Sequence, residues 1–534
     1  MRLAHTKLVT SSQMARIDKR AIAGGIPGKD LMEAAGCGVT RVVTSLLGDL
    51  QNKNLILLCG KGNNGGDGFV VARLASSAGA SPQVFLAAPE DEITGDALFH
   101  LDKARDWGIR ISEVRERADL KQVEQAVSSG HVIVDALLGT GIRGGAKGLT
   151  ADLIEMLNRA ACPIVAVDVP SGLSADTGRA EGACTRATCT VTFGLPKIGQ
   201  FFHPGRGLSG RLNLVDIGLE PSAVEAEDVK TYLLEDRLAS GLLPARKPDA
   251  HKGDCGRVVI VGGSVGLTGA PTLSAMAALK SGAGLVTVGA PESLNDILEV
   301  KLTEAMTRPL PEVRRTRCLA LRARGEIKRL LEGADALALG PGLGTHRETV
   351  ELVKRLIPNV EIPIVLDADG LNALAGDPGH LKTLTSPAVI TPHPGEFSRL
   401  TGTEVSKVLV DPIEAASSLA QSTGVTVVLK GAPTVVATPD GKSFVNSSGN
   451  AGMASGGSGD VLTGVIAALL GQGLVPEEAT CLGVYLHGLA GDLGAEKIGE
   501  AGLVARDIVE SLPQAEQQIR SGNDSGRYIQ YVSN

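Results

Sequence analysis

Flat rings are scarce in this chain: eight Phe, four Tyr and a single Trp, Trp107, among 534 residues. Stacking of bases on aromatic side chains is therefore excluded as the main binding device. Cationic runs are missing as well and the formal net charge is −7, so the electrostatic footprint of a nucleic-acid binder is absent. No apolar stretch reaches membrane-spanning length, and Met1 to Arg20 carries no apolar core of signal-peptide length. A cytoplasmic location is expected, with neither membrane nor nucleic acid as partner. The eight cysteines are scattered, without a C-x-x-C pair or histidines at zinc spacing, which leaves buried reduced thiols as the expected state. The P-loop pattern Gly-x-x-x-x-Gly-Lys-Ser/Thr is also absent, disfavouring that class of phosphate binder.

What is present is glycine, 68 residues of it, and 43% hydrophobic residues, ample for two or more buried cores. Short Val, Ile and Leu runs alternate with helical stretches throughout, the pattern of parallel sheets buried on both faces. Expected strands in the first half are Asn54 to Cys59, Pro82 to Ala87, His131 to Asp135, Ile164 to Val169 and Cys189 to Phe193. The alternation pauses in the acidic segment Glu220 to Asp228, then resumes with Arg257 to Gly262, Gly284 to Val288, Ala336 to Leu339, Ile364 to Leu366, Ala388 to Thr391 and Thr426 to Leu429. Two α/β domains are expected, residues 1–224 and 225–534, with a poorly anchored tail from Ser521 to Asn534.

Two glycine-rich loops of different design stand out, each after an apolar run and before a helical pattern: Gly60 to Gly68 and Ser455 to Asp460. Free amides and the helix dipole at such a junction hold phosphate. Two nucleotide-type sites in one chain suggest two consecutive reactions on one metabolite. Read literally, Gly60-x-Gly62-x-x-Gly65 is a dinucleotide fingerprint with Glu90 or Asp91 as the ribose acid, which leaves an ordinary nicotinamide dehydrogenase open.

In the first half, Asp135 and Asp168 each end a strand with glycines beyond, and Asn64, Asp135 and Ser171 offer hard oxygen ligands for a cation. Caps and turns are the commoner fate of such aspartates. Lys197, after Cys189 to Phe193, would make an acid/base pair with Asp168. In the second half, Asp460 at the start of an apolar helix is placed to take a proton from an attacking hydroxyl while amides stabilise a moving phosphoryl group. Lys430 to Thr434 closes a strand where an adenine nucleotide fits, Gly340 to Gly344 allows close backbone approach, and Asp367, Asp369 and Asn372 are placed to organise magnesium or substrate. His393 stands where another strand meets its loop.

The segments Asn63 to Asp67, Val134 to Gly141, Val167 to Gly172 and Pro196-Lys197, with Gln13-Met14-x-x-Ile17-Asp18, resemble the NAD(P)H-hydrate epimerase domain over the first 220 residues. Gly253 to Ser264, Thr268 to Pro271 and the second-half motifs resemble the ribokinase-like ADP-dependent NAD(P)H-hydrate dehydratase over residues 225–515. The resemblance implies a Rossmann-like three-layer α/β/α sandwich followed by a ribokinase-like α/β domain. By it, Asn63, Asn64, Gly65, Gly66, Asp67, the loop Gly139, Thr140, Gly141, Ile142, Arg143, Gly144, Gly145, and Asp168 contact the hydrated nucleotide, while Asn64, Asp135 and Ser171 ligate potassium. Ala270, Gly342, Gly344, His393 and Asp460 would touch the hydrate in the second domain, and Lys430, Gly431, Ala432, Pro433, Thr434 and Gly459 the nucleotide. Cys255 departs from the family, which often has an aromatic residue there.

The implied activity is repair of NADHX and NADPHX, formed when water adds across the nicotinamide 5,6 double bond. Epimers at C6 are interconverted by the first domain, with Asp168 and Lys197 as acid and base. The second domain, with Asp460 as base, removes water at the expense of ADP, giving AMP and phosphate. Potassium, magnesium and ADP are the expected cofactors and co-substrate, and further copies of the chain the expected macromolecular partner. The competing readings are a ribokinase-like small-molecule kinase fused to a nucleotide-binding domain, and a first domain that senses nucleotide or binds protein without catalysis.

Overall fold

The computed structural model describes residues 6–141, 144–522 and 527–532 and divides into two compact units. One runs from Thr6 to Val229 and takes in the C-terminal strand, and the other begins at Lys230. Each is built on its own sheet.

The first sheet has eight parallel strands in the order Ile529–Val532, Arg211–Val215, Cys189–Phe193, Ile164–Val167, Val132–Ala136, Asn54–Cys59, Ser81–Leu86, Arg110–Glu113. Its central strands are sealed on both faces: Leu55 to Cys59 and Val132 to Val134 are all fully buried, which is why they read as unbroken apolar runs. Separate apolar clusters form on the two faces, one with helices Gly28–Leu47, Asn63–Ser77 and Gly95–Asp106, the other with Leu120–Ser129 and Gly148–Leu157. Three layers result.

The end of the chain differs from expectation. Residues Ile529 to Val532 pair in register with Leu212 to Val215, and Tyr531 shares a hydroxyl hydrogen bond with Thr6 at 2.9 Å. The tail is therefore an edge strand of the first unit, and the second unit's own elements end with helix Ala505–Ser521. A four-residue strand behind a Gly, Asn and Ser-rich link is too short to declare itself by periodicity.

The second sheet has ten strands, in the order Met306–Leu310, Leu285–Pro291, Arg257–Val261, Ala336–Leu339, Ile364–Leu366, Ala388–Ile390, Thr426–Leu429, Val435–Ala437, Ser443–Asn446, Thr231–Leu234. The seven from Met306–Leu310 to Thr426–Leu429 are parallel; Val435–Ala437 runs antiparallel to both neighbours. Helices Gly269–Lys280 and Ser458–Gly471 lie against one another so closely that a Cβ on Gly464 would stand 2.0 Å from the Ser274 carbonyl oxygen. Cys255 is buried beside Arg246, whose Nη2 lies 3.1 Å from its Sγ, on a cavity of about 490 Å³.

In both sheets the winding reverses beside the first long strand. The reversal falls between Asn54–Cys59 and Val132–Ala136 in one unit and between Arg257–Val261 and Ala336–Leu339 in the other. Crevices open at the carboxyl ends of strands at such points, and ligands bind there. Among the described residues no helix is long and apolar enough to cross a membrane.

Candidate active sites

At the first crevice lies a cavity of about 740 Å³, bounded by Gly60 to Asn64 after one strand and Leu137 to Gly141 after its neighbour. Helix Asn63–Ser77 starts here with Gly62 as an extended N-cap, so its first-turn amides face the cavity region without carbonyl partners of their own. A Cβ on Gly65 would stand 1.9 Å from the Gly60 carbonyl oxygen, so only glycine lets the loop fold onto the helix. Asn63, Asn64, Asp67, Gly139, Thr140 and Gly141 line the cavity. Gly65 and Gly66 take packing positions instead, the latter against Met32, and Gly145 lies against the Glu181 carbonyl. Gly144 is a positive-φ turn residue, and Ile142 and Arg143 lie outside the described residues.

Asp168 and Lys197 form an ion pair in the same cavity. Asp168 follows strand Ile164–Val167 in the left-handed region, φ 61°, a conformation Asp tolerates better than most residues. Its Oδ1 also accepts from Thr192 Oγ1 at 3.1 Å and from the Phe193 amide at 3.3 Å. Lys197 is 1% exposed, and its ammonium further donates to Thr192 Oγ1 and the Phe193 carbonyl at 3.0 and 3.2 Å. Gln200 ties the two main chains together, donating to the Asp168 carbonyl and accepting from the Lys197 amide, both at 2.8 Å.

Four further carboxyls line the cavity, Asp18, Asp67, Glu92 and Asp96. Burial pushes Asp18 up to about 6, and burial, aided by the charge of Asp168, raises Asp67 well above its ordinary value. In the sequence Asp18 stands out only within the Gln13-Met14-x-x-Ile17-Asp18 motif, and the wide separation of helix Ser11–Ala23 from the strands hides their meeting.

The proposed cation ligands meet around one turn. Ser171 Oγ donates to Asp135 Oδ1 at 2.6 Å and the Ser171 amide to Oδ2 at 2.9 Å, while Asn64 Nδ2 donates to the Leu138 carbonyl at 3.0 Å. Burial raises the Asp135 carboxyl, and the Ser171 bonds oppose that rise.

In the second unit, Gly457 takes φ 94° and opens helix Ser458–Gly471, whose first turn carries Gly459 and Asp460. The Asp460 carbonyl accepts from Ser274 Oγ at 2.8 Å, which fixes the height of that turn on the neighbouring helix. Burial raises the Asp460 carboxyl to about 7; Asp367 adds to the rise and Lys430 opposes it. Lys430 lies against Gly459, where a Cβ would come within 3.1 Å of its Nζ. Its ammonium meets Asp367 Oδ1 at 2.8 Å and Glu396 Oε2 at 3.7 Å; despite burial, those carboxylates keep its pKa raised. Gly431 to Thr434 continue from Lys430 as the turn into strand Val435–Ala437, with Thr434 Oγ1 on the Gly431 carbonyl at 3.3 Å.

Asp367, expected to organise magnesium or substrate, is committed on both oxygens, to Lys430 and to Thr463 Oγ1 at 2.7 Å. Asp369 binds the Gly344 amide at 2.8 Å and Asn372 at 3.0 Å. Ala270, Gly342 and Gly344 gather at the crevice: a Cβ on Gly342 would stand 3.3 Å from that of Ala270, and Ser264 Oγ donates to the Gly342 carbonyl at 2.8 Å. His393 caps its own helix, Pro394–Thr401, accepting the Gly395 amide at Nδ1 at 3.0 Å, and burial lowers its pKa. Sequence reasoning missed Glu396, Thr463 and His487. Glu396 closes the capping box with His393, a spacing visible in the sequence, whereas buried His487, lowered to about 4 by burial and 3.4 Å from Ser458 Oγ, lies mid-helix with no local sign.

Comparison with known proteins follows the same division. The family described as YjeF-related protein N-terminus matches residues 28–199, and the NAD(P)H-hydrate dehydratase family matches residues 258–514. The chain is 46% identical to the bifunctional NAD(P)H-hydrate repair enzyme Nnr of Moorella thermoacetica, over 95% of this chain and 96% of that one. It is 40% identical to the Nnr of Thermofilum pendens, over 97% and 98%. A solved ADP/ATP-dependent NAD(P)H-hydrate dehydratase from Bacillus subtilis, co-crystallized with ATP and magnesium, is 31% identical, with TM-score 0.47, covering 54% of this chain and 98% of that one. Two glycine-opened helix starts, each with its own lysine and carboxylates, and full-length likeness to two-domain relatives establish that the chain belongs to the bifunctional NAD(P)H-hydrate repair enzymes.

Proposed function

We propose that the first cavity interconverts the C6 epimers of NADHX and NADPHX and that the second site dehydrates the S epimer using ADP. The observation that carries the second half is Asp460 on the first turn of helix Ser458–Gly471, beside Lys430 and in the field of Asp367, Glu396 and Asp369. There its carboxylate takes the proton of the C6 hydroxyl as the hydroxyl oxygen attacks the β-phosphorus of ADP. AMP leaves, first-turn amides and Lys430 stabilise the charge that develops, and phosphate then departs from C6 with its bonding pair, the ring-nitrogen lone pair assisting, while C5 gives up a proton to solvent or the departing phosphate and the 5,6 double bond reforms. Phosphorylation converts a poor leaving group into a good one.

The nucleotide set of this reading is Lys430, Gly431, Ala432, Pro433, Thr434 and Gly459, and the hydrate set is Ala270, Gly342, Gly344, His393 and Asp460. In the first cavity Asn63, Asn64, Asp67 and Gly139 to Gly141 hold the nucleotide, with Asp168 and Lys197 handling protons. Potassium would sit with Asn64, Asp135 and Ser171. Each carries a side-chain oxygen, and Asn64 and Ser171 both bond the Leu138 turn while Ser171 bonds Asp135; hard oxygens of this kind suit a cation that offsets phosphate charge. Magnesium would enter on the phosphates of ADP, since both oxygens of Asp367 are already engaged. All eight cysteines are free, in keeping with work in the cytoplasm, and self-association belongs to the same reading.

The test is the product. S-NADPHX with ADP and magnesium should yield NADPH, AMP and phosphate in equal amounts, whereas accumulation of a stable phosphorylated hydrate would make the second unit a kinase.

A further inference from the structure

We propose that Asp18 is a catalytic residue of epimer interconversion, exchanging a proton with the C6 hydroxyl from the helix wall of the first cavity while Asp168 acts from the strand ends. This rests on the assignment of that cavity to the hydrate.

Asp18 projects from helix Ser11–Ala23 and lines the cavity together with Asp168 and Lys197. Its Oδ1 is shielded from solvent and has no hydrogen-bond partner. An oxygen withdrawn from water in this way is costly as a bare carboxylate and is satisfied when protonated or when a ligand donates to it. Its polar neighbours on the helix have structural work: Gln13 and Thr10 form the capping box, and Arg16 and Arg20 both reach Glu227. Asp18 has none of these duties and points its chemistry at the cavity. Lys197, Asp168 and Asp67 face it from the loop after Cys189–Phe193, from the end of Ile164–Val167 and from helix Asn63–Ser77, and Lys61, Glu92 and Asp96 line the same space. Burial lifts its pKa to about 6, with Lys197 pulling down and Asp168 pushing up. Asp168 is ion-paired with Lys197 on the opposite wall.

One acid and one base at different walls are what inversion at C6 requires, because that carbon bears the hydroxyl and is bonded to the ring nitrogen. Protonated Asp18 gives its proton to the hydroxyl oxygen. The C6–O bond breaks with its electron pair leaving on water, and the nitrogen lone pair forms a C6–N double bond that makes C6 planar. Water adds to the opposite face, the π pair returns to nitrogen, and the surplus proton passes to Asp168. Water is lost and regained and one proton has crossed from Asp18 to Asp168; the reverse passage serves the other epimer.

The experiment follows epimer exchange by NMR in the full-length protein without ADP, starting from purified S-NADPHX, for wild type, Asp18→Asn, Asp18→Glu and Asp168→Ala. Asp18→Asn should lower kcat by about 100-fold with KM within about twofold, and Asp18→Glu should recover much of the loss. Wild-type kcat/KM should fall as pH rises through about 6, where Asp18 of the free enzyme loses its proton, and Asp18→Asn should remove that limb. An Asn variant with full rate, an unchanged pH limb, or a loss confined to KM or shared by the Glu variant with a lowered melting temperature would overturn the proposal. Exchange that also survives Asp168→Ala would instead show that the cavity itself has been misassigned.

Discussion

Lys430 and Asp367 are joined at 2.8 Å in the interior of the second unit, and the same lysine lies against Gly459 on the turn that carries Asp460. The ion pair therefore sets the position of a cation beside both the turn Gly431 to Thr434 and Asp460, the carboxylate proposed to take the hydroxyl proton. Removing Asp367 leaves Lys430 with Glu396 at 3.7 Å as its carboxylate partner. Asp367→Asn is expected to destabilise the second unit by about 3 kcal/mol, the lower end for breaking a buried pair, read as a loss in urea midpoint, and to weaken ADP affinity.

On the proposed role of Asp460 as the base, the pH dependence of dehydration follows its carboxyl. Its carboxyl is raised to about 7, and the step needs the ionised form. The rate kcat/KM should rise with pH through about 7 and level off above it, since this parameter reports groups of the free enzyme. A profile already flat from pH 5 upward would separate Asp460 from the proton transfer.

Gly464 tests the helix contact beneath the same turn. Gly464→Ala places a Cβ 2.0 Å from the Ser274 carbonyl oxygen, on the residue whose hydroxyl also holds the Asp460 carbonyl. The overpacking cost is about 1–3 kcal/mol, and thermal melting should show it together with a lowered dehydratase kcat.

Glu227 bridges Arg16 and Arg20 on helix Ser11–Ala23, and hydrogen bonds from those two side chains hold it at about 2, below its ordinary 4.5. A depressed carboxyl contributes stability that is present above pH 4.5 and lost as pH falls toward 2. The melting temperature of the first unit should drop over that window in wild type, and Glu227→Gln should flatten the dependence.

The sequence made the sheets legible because their central strands are apolar on both faces: Asn54–Cys59, Cys189–Phe193, Ala336–Leu339 and Thr426–Leu429 stand where the Val, Ile and Leu runs put them. It was silent on strands of three or four residues, such as the edge strands Arg110–Glu113 and Ile529–Val532 and the turn-linked pair Val435–Ala437 and Ser443–Asn446, where too few side chains alternate to mark a period. In the sites, residues at glycine-flanked strand ends were visible one by one. Their partners were not. Gln200 beneath Asp168 and Lys197, Thr463 on Asp367 and His487 beside Ser458 lie on other elements, and only the fold brings them together.

The most direct test of two separable sites gives Asp460→Asn and Asp168→Ala a mixture of both hydrate epimers with magnesium and ADP, and follows dihydronicotinamide absorbance and the epimer ratio together. Asp460→Asn should restore no absorbance yet keep the epimers exchanging, and Asp168→Ala should repair the S fraction and then stall as R remains. Equal loss of both activities in either variant would contradict the account.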